Sequence, residues 1–190
     1  MRQFLLVWAI FVVLVFGEEN RLNDFYKLLN QDSIVKIDIN FFQKQFGNSF
    51  NSSGSFYLLN KNNYCYDSPL FKIIAQDSIV MTINYETNQV IYNSVDSRQV
   101  GILDILSGKN NFIDFKDDEK NNYIYNFNIN DLGYTGFFEF DRDTGMLKMI
   151  KLEIGDNQII VIEIMAINII KDFSIPTFDK NIFEIIDLRG

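Results

Sequence analysis

The strand-like stretches of this chain carry apolar side chains on both of their faces. In the segment 55–59, Phe56 and Leu58 point to one side, whereas Tyr57 and Leu59 point to the other. The longer run 159–170 has the same property. A sheet with one solvated face would alternate apolar and polar residues instead. The predicted sheet therefore needs a cover on each face, and one of those covers can be protein or a hydrophobic ligand.

The spacing of strands and turns predicts the fold class. Apolar residues at i, i+3, i+4 and i+7 predict an amphipathic helix at 20–30, and a second short helix is predicted at 100–106. Gly47–Gly54 is predicted as a turn, and 110–122 as an exposed polar turn region. Many short strands joined by tight turns favour one antiparallel sheet that curls on itself. The predicted strands are 34–46, 56–59, 64–66, 71–75, 79–84, 89–92, 123–129, 137–140, 146–154, 158–170 and 183–186.

The N-terminus has the layout of a secretory signal peptide. A short basic start is followed by an unbroken apolar run at 4–16, then by Gly17 and an abrupt polar segment. The run is shorter than the roughly 20 residues that a membrane-spanning helix needs. We therefore predict a signal peptide at 1–17 and a single domain at 18–190, with a retained N-terminal anchor as the alternative.

Charge and composition exclude several classes of function. The formal net charge is −8, and removal of residues 1–17 makes it −9 because that segment carries Arg2 and no acid. An acidic chain is a poor partner for nucleic acids, which bind through Lys and Arg. The absence of His excludes His-based catalytic triads and metal sites. Cys65 has no intrachain partner and is interpreted as a packed apolar residue. We predict no enzymatic activity, no cofactor and no metal.

Six short motifs follow one another along the chain. In order, they are Phe41-Phe42-Gln43, Ser53-Gly54-Ser55-Phe56-Tyr57-Leu58, Tyr64-Cys65-Tyr66-Asp67-Ser68-Pro69, Ile73-Ile74-Ala75-Gln76-Asp77, Asn88-Gln89-Val90 and Ile102-Leu103-Asp104-Ile105-Leu106-Ser107-Gly108. Their order resembles that of the periplasmic outer-membrane lipoprotein carrier family, which is LolA-like. The closing segment 173–186 is also similar to the family's. The resemblance covers nearly the whole chain after residue 17.

The resemblance implies an unclosed antiparallel β-barrel with a short helical lid over a hydrophobic cavity. It implies a monomeric periplasmic chaperone that binds the acyl chains of lipoproteins. Such a carrier receives its cargo from an inner-membrane lipoprotein-releasing ABC transporter and delivers it to an outer-membrane acceptor. Each buried CH₂ is worth roughly 0.8 kcal/mol, so lipid-anchored proteins need a carrier to cross water.

One departure from the family concerns its lid latch. Family members carry an Arg after the second strand that is held to latch the lid, whereas this chain has Leu59, Asn60 and Lys61 there. Lys does not reproduce the forked hydrogen bonding of Arg. Asn60 and Lys61 are therefore the candidate latch residues.

The predicted cavity residues come from two sources. Tyr64 and Tyr66 follow from the family motif, and the others follow from strand or helix patterns. The full set is Phe41, Leu58, Tyr64, Tyr66, Ile74, Met81, Ile83, Leu103 and Leu106. Two alternatives to lipoprotein transport stay open at this point. One is a carrier or sensor of free lipids or glycolipids on the same fold, and the other is a protein-binding envelope module with a filled core.

Overall fold

The described part of the chain folds into one large sheet and two short helices. The structure is a computed structural model that describes residues 20–60, 63–94, 101–116, 123–175, 179 and 181–189. The helices are α1 (Arg21–Leu29) and α2 (Ile102–Leu106), and a 3₁₀ turn covers Asn130–Leu132. Neither α1 nor α2 is long and apolar enough to cross a membrane, and no other described helix is. The strands are β1 (Ile34–Gln45), β2 (Asn48–Asn60), β3 (Asn63–Asp67), β4 (Phe71–Gln76), β5 (Ile79–Asn84), β6 (Gln89–Ser94), β7 (Asp114–Phe115), β8 (Ile124–Ile129), β9 (Tyr134–Phe140), β10 (Leu147–Ile154), β11 (Gln158–Ile170) and β12 (Glu184–Asp187).

The sheet is antiparallel except at one edge, and it does not close. Its strand order is β12-β6-β5-β4-β3-β2-β1-β11-β10-β9-β8-β7, and only the β12–β6 pair is parallel. The order breaks sequence succession at two places, where β11 lies beside β1 and where β12 lies beside β6. Because β12 and β7 form opposite edges, the predicted fold class of an unclosed sheet with short helices is confirmed.

Two predictions about the turns were wrong. The segment 48–54 belongs to β2, because β1 and β2 stay paired from Val35 and Leu58 to Gln45 and Asn48. Only Phe46 and Gly47 connect these strands. Within 110–122, Asp114–Phe115 pairs with β8 as strand β7. The Ser and Asn residues of β2 are typical of turns, so the sequence does not indicate a strand there. In the structure they lie in regular ladder positions.

The two helices cover one face of the sheet, which we call the inner face. On β1 this face carries Val35, Ile37 and Ile39, all buried. Phe25 of α1 packs against Phe138 and Phe140, with ring centroids 6.4 and 6.5 Å apart. α1 begins at an Asn20 side-chain cap and buries the apolar stripe that its sequence predicts. With the contact of Tyr26 to Phe115, these aromatic contacts join α1 to β7 and β9.

The opposite face, which we call the outer face, is also apolar and is buried along β3–β6. Strand register places Cys65, Ile74, Ile83 and Val90 on it, and each is buried. Burial raises the pKa of the Cys65 thiol to about 11, in keeping with its interpretation as a packed apolar residue. The chain after β11 returns to this face. Phe173 stacks on Tyr57 with ring centroids 4.1 Å apart, and Phe183 contacts Tyr85 before β12 joins the far edge. Protein therefore supplies part of the second cover.

We expect Gly54→Ala to destabilise the fold. A Cβ at Gly54 would collide with the Asp67 carbonyl oxygen and lie 2.9 Å from the Tyr66 ring. Overpacking of this kind costs about 1–3 kcal/mol. Urea denaturation measures the change, and Ser53→Ala, at an exposed neighbouring position, is the matched control. Equal midpoints for the two variants would contradict the close packing of Tyr66 over β2.

Candidate functional site

A pocket lies between α2 and the inner face of β3–β5. Its volume is about 370 Å³, within the range typical of sites for small molecules. Most of its accessible lining is apolar, while polar groups stand along one side. We call it the α2 pocket. Its lining residues are Phe41, Tyr64, Ile73, Ala75, Val80, Thr82, Asn93, Ser94, Gly101, Ile102, Leu103, Asp104, Lys109 and Ile160.

Small side chains on β4 and β5 help to create this space. Tyr64 pairs with Ala75, and Ala75 pairs with Val80, so these residues share the inner face. The neighbouring inner-face positions of β2 carry the much larger Phe56 and Leu58, which are fully packed. Ala75 and Val80 project less far than those side chains, which leaves room beneath α2.

The apolar side of α2 fixes it to the sheet. Ile102, Ile105 and Leu106 are buried, whereas Leu103 is half-buried and faces the pocket. A helix of five residues has too few internal hydrogen bonds to be stable alone. Its position therefore depends on tertiary packing.

Asp104 holds α2 at its polar side. Its carboxylate accepts hydrogen bonds from the Gly101 N–H at 3.0 Å, from Lys109 Nζ at 2.8 Å and from Tyr64 Oη at 3.4 Å. The first bond caps α2, and the third joins α2 to β3. Lys109 Nζ also lies 5.8 Å from the centroid of the Tyr64 ring. These contacts make Asp104 the polar anchor of the helix.

Tyr64 stays protonated in this environment. Burial raises the pKa of its phenol far above the ordinary value of 10.0, and the nearby negative charge of Asp104 raises it further. The hydroxyl can therefore act as a donor to Asp104 over the whole neutral range.

The structure divides the predicted cavity residues into three groups. Phe41, Tyr64 and Leu103 line the α2 pocket. Leu58, Tyr66 and Leu106 share the inner side but are buried in the packed core. The remaining three lie on the outer face: Ile74, Met81 and Ile83. The sequence analysis expects these three side chains to point inward, and the strand register shows that they point outward. Neighbouring residues of a strand point to opposite faces, so an error of one residue reverses the predicted orientation.

The missed pocket residues could have been found from hairpin register. Gln76 pairs with Ile79 across the two-residue turn Asp77-Ser78. Propagating the pairing from Tyr64 through this turn assigns Ala75 and Val80 to the same face. The Gly101-x-x-Asp104 spacing is also a helix-start signal. Lys109 and Ile160 carry no comparable local signal.

The predicted latch residues are placed only in part. Asn60 Oδ1 accepts a hydrogen bond from the Asn63 N–H at 3.0 Å, so this side chain joins the end of β2 to the start of β3. Lys61 lies outside the described residues, as does the predicted signal peptide at 1–17. A hydrogen bond between α2 and a strand side chain joins Asp104 and Tyr64.

Two other concavities are more polar than the α2 pocket. One, of about 480 Å³, lies along β1 and β2 and includes Asn40, Asn51, Ser53 and Glu163. The other, of about 340 Å³, includes Glu139, Asp141, Arg142 and Lys148. Within the part of the chain that the structure describes, no group of three or more acidic or cysteine side chains could hold a metal ion.

Comparison with solved structures supports the fold. An uncharacterised conserved protein from Thermus thermophilus superposes with a TM-score of 0.52 at 6% identity, over 92% of this chain and 100% of that one. A LolA superfamily protein from Nitrosomonas europaea gives 0.49 at 11% identity, over 84% and 94%. The lipoprotein LppX of Mycobacterium tuberculosis gives 0.41 at 8%, over 77% and 91%. No protein-family model matches the sequence, and no curated protein is significantly similar to it.

These identities are low enough that the likeness concerns the fold alone. The fold that the motif order implies is confirmed, because the chain has the expected unclosed antiparallel sheet with a short helix over an apolar pocket.

We expect Asp104→Ala to loosen α2 without unfolding the sheet. The variant removes a helix cap and the ion pair with Lys109, and loss of a cap costs about 1 kcal/mol. Hydrogen exchange of the amides at 102–107 should accelerate about fivefold, while strand amides keep their rates. The control is Asp24→Ala, which removes an exposed ion pair with Lys27 on α1 and should leave α2 unchanged. Unaltered exchange in α2 would contradict the anchoring role of Asp104.

We expect Tyr64 to contribute to alkaline unfolding. Its pKa is raised in the folded state, so folding favours the protonated phenol and the free energy of unfolding falls as pH rises above the ordinary value of 10.0. Tyr64→Phe lacks this contribution. Above pH 10 the free energy of unfolding of the variant should therefore fall less steeply with pH. The slopes of the wild type and the variant should differ by about 1.4 kcal/mol per pH unit. Denaturant titrations at several alkaline pH values measure the slope, and identical slopes would show that Tyr64 is not protected.

Proposed function

We propose that this chain is a periplasmic carrier that binds the acyl chains of lipoproteins in the α2 pocket. The apolar lining of that pocket beneath a helix of five residues is the observation that carries the proposal. The motif order described above supports the choice of cargo. The proposal involves no catalytic step. It includes export through the predicted signal peptide at 1–17 and function as a monomer.

The energetics of acyl transfer fit such a site. Burying each CH₂ contributes roughly 0.8 kcal/mol, so a few methylenes in the pocket keep a chain out of water. Half-buried Ile73, Val80 and Leu103 are available for this contact. The volume of about 370 Å³ is modest. Larger or multiple chains would need α2 to move outward, which its dependence on tertiary packing permits.

Transport from the inner to the outer membrane follows as part of the same proposal. The cargo would come from an inner-membrane lipoprotein-releasing ABC transporter and pass to an outer-membrane acceptor. The acidic net charge supports a carrier that does not adhere broadly to anionic bilayers.

The cargo is testable in the native host. Lipids and acylated peptides that copurify with the chain are identified by mass spectrometry. Acylated peptides are the expected result. Free lipids or glycolipids alone would replace lipoprotein transport with the second function named above, on the same pocket.

We expect Val80→Phe to weaken uptake of the fluorescent fatty acid cis-parinaric acid. Phe at this inner-face position fills part of the pocket, and displacing about two methylenes should reduce affinity roughly tenfold. The control is Met81→Phe at the next residue, whose side chain lies on the outer face. Fluorescence titration compares both variants with the wild type. A wild type that takes up no probe, or equal effects of both variants, would contradict the α2 pocket as the binding site.

A further inference from the structure

The tip of the β1–β2 hairpin exposes a large aromatic side chain. Phe46 is 75% exposed, the highest value among the large apolar residues that the structure describes as exposed. Its backbone N–H donates to the Asn157 carbonyl at 3.3 Å, which joins the tip to the β10–β11 turn. The side chain is therefore presented to solvent from a braced hairpin.

The backbone at this tip is unfavourable for phenylalanine. Phe46 and Gly47 link the paired residues Gln45 and Asn48, and both have positive φ, 48° and 84°. Two-residue hairpin turns of this kind favour Asn, Asp or Gly. The other described non-glycine residues with positive φ are Asp77 and Asn88, which follow that rule. Phe46 breaks it and gains little burial in return. A strained position without a packing reason points to a function.

The charge around the tip is unusual for this chain. Between Ile39 and Asn60 the sequence carries one charged residue, Lys44, although the whole chain has 25 acidic residues. The adjacent turn adds Asp156. The hairpin itself can thus approach an anionic surface without electrostatic repulsion, and Lys44 favours that approach.

We propose that Phe46 inserts into the interfacial layer of a lipid bilayer and makes the hairpin tip a membrane contact. Aromatic side chains favour this layer. A protein partner or a second copy of the chain would need about 1,000 Å² of complementary surface for a stable interface. One side chain on a two-residue turn provides far less, whereas a fluid interface can accept it alone.

The position of the tip relates this contact to the α2 pocket. Phe50, 37% exposed, lies on the inner face of β2, and its ring centroid is 6.2 Å from that of Phe41. Phe41 in turn lines the pocket. Apolar side chains therefore extend from near the tip to the pocket wall. The membrane contact itself does not depend on what the pocket binds.

A single-tryptophan reporter tests the contact at the site itself. Trp8 is the only tryptophan of the chain, so Phe46→Trp in a Trp8→Phe background reports on position 46. Vesicles of phosphatidylcholine with phosphatidylglycerol should shift its emission to the blue, and brominated phosphatidylcholine should quench it. Tyr85→Trp in the same background is the control, and its emission should stay unchanged. No shift and no quenching at position 46 would overturn the proposal.

A second variant separates membrane contact from a structural role. Phe46→Asn suits the turn better, so its thermal midpoint should equal or exceed that of the wild type. A lower midpoint would show that Phe46 is kept for packing and would overturn the proposal. Uptake of cis-parinaric acid should be unchanged in Phe46→Asn. A wild type that takes up no probe would contradict the proposed function alone, because the reporter at position 46 does not depend on the pocket.

Discussion

Burial of both faces of one sheet is the constraint on which this structure depends. β3–β6 place apolar side chains inward and outward, so neither face can be left to solvent. The chain after β11 returns to the outer face through Phe173 and Phe183, while α1 and α2 cover the inner face. The inner cover is uneven, because α1 packs aromatic rings on β7 and β9 whereas α2 contributes only five residues over small side chains. The pocket follows from that difference in cover.

The same difference separates a rigid part from a movable part. Phe25 and Tyr26 of α1 belong to a network of ring contacts. Their partners are Phe115, Phe138 and Phe140. Separating these rings would cost a large free energy. α2 is shorter, and its attachment combines three buried aliphatic residues with the polar contacts of Asp104. Displacing α2 therefore disturbs fewer contacts than displacing α1. Segments with few buried contacts open at the lowest free energy, so the pocket is covered by the part of the inner layer that can open most readily.

The sequence predicted the class of the fold well and the orientation of its side chains poorly, for one physical reason. Strands and turns leave local signals in β-branched runs and in Gly, Asn and Asp positions. Orientation along a strand is usually assigned from apolar–polar alternation, and that signal is absent where both faces are apolar. Ile74, Met81 and Ile83 were placed inward on this account. Phe41 and Tyr64 lie in the wall of the α2 pocket. Asp104 and Lys109 meet through the local turn that ends α2, where the Lys109 N–H also donates to the Asp104 carbonyl. The contact between Asp104 and Tyr64 depends instead on the position of α2 against β3, a tertiary arrangement that no local pattern encodes.

The two proposals place opposite demands on apolar surface, and the chain separates them in space. A pocket that shelters acyl chains needs its apolar groups out of water, and Ala75 and Ile160 are buried accordingly. A membrane contact needs an apolar group in water before it meets lipid, which costs solubility unless the group is small and isolated. At the hairpin tip the strongly exposed apolar side chain is Phe46, on a turn flanked by Lys44 and Asn48. Because this apolar surface is a single side chain, the loss of solubility stays low. Phe50, which is 37% exposed, and the half-buried Phe41 then lie between tip and pocket. An acyl chain passing this way would exchange bilayer contacts for protein contacts a few methylenes at a time, instead of crossing water all at once.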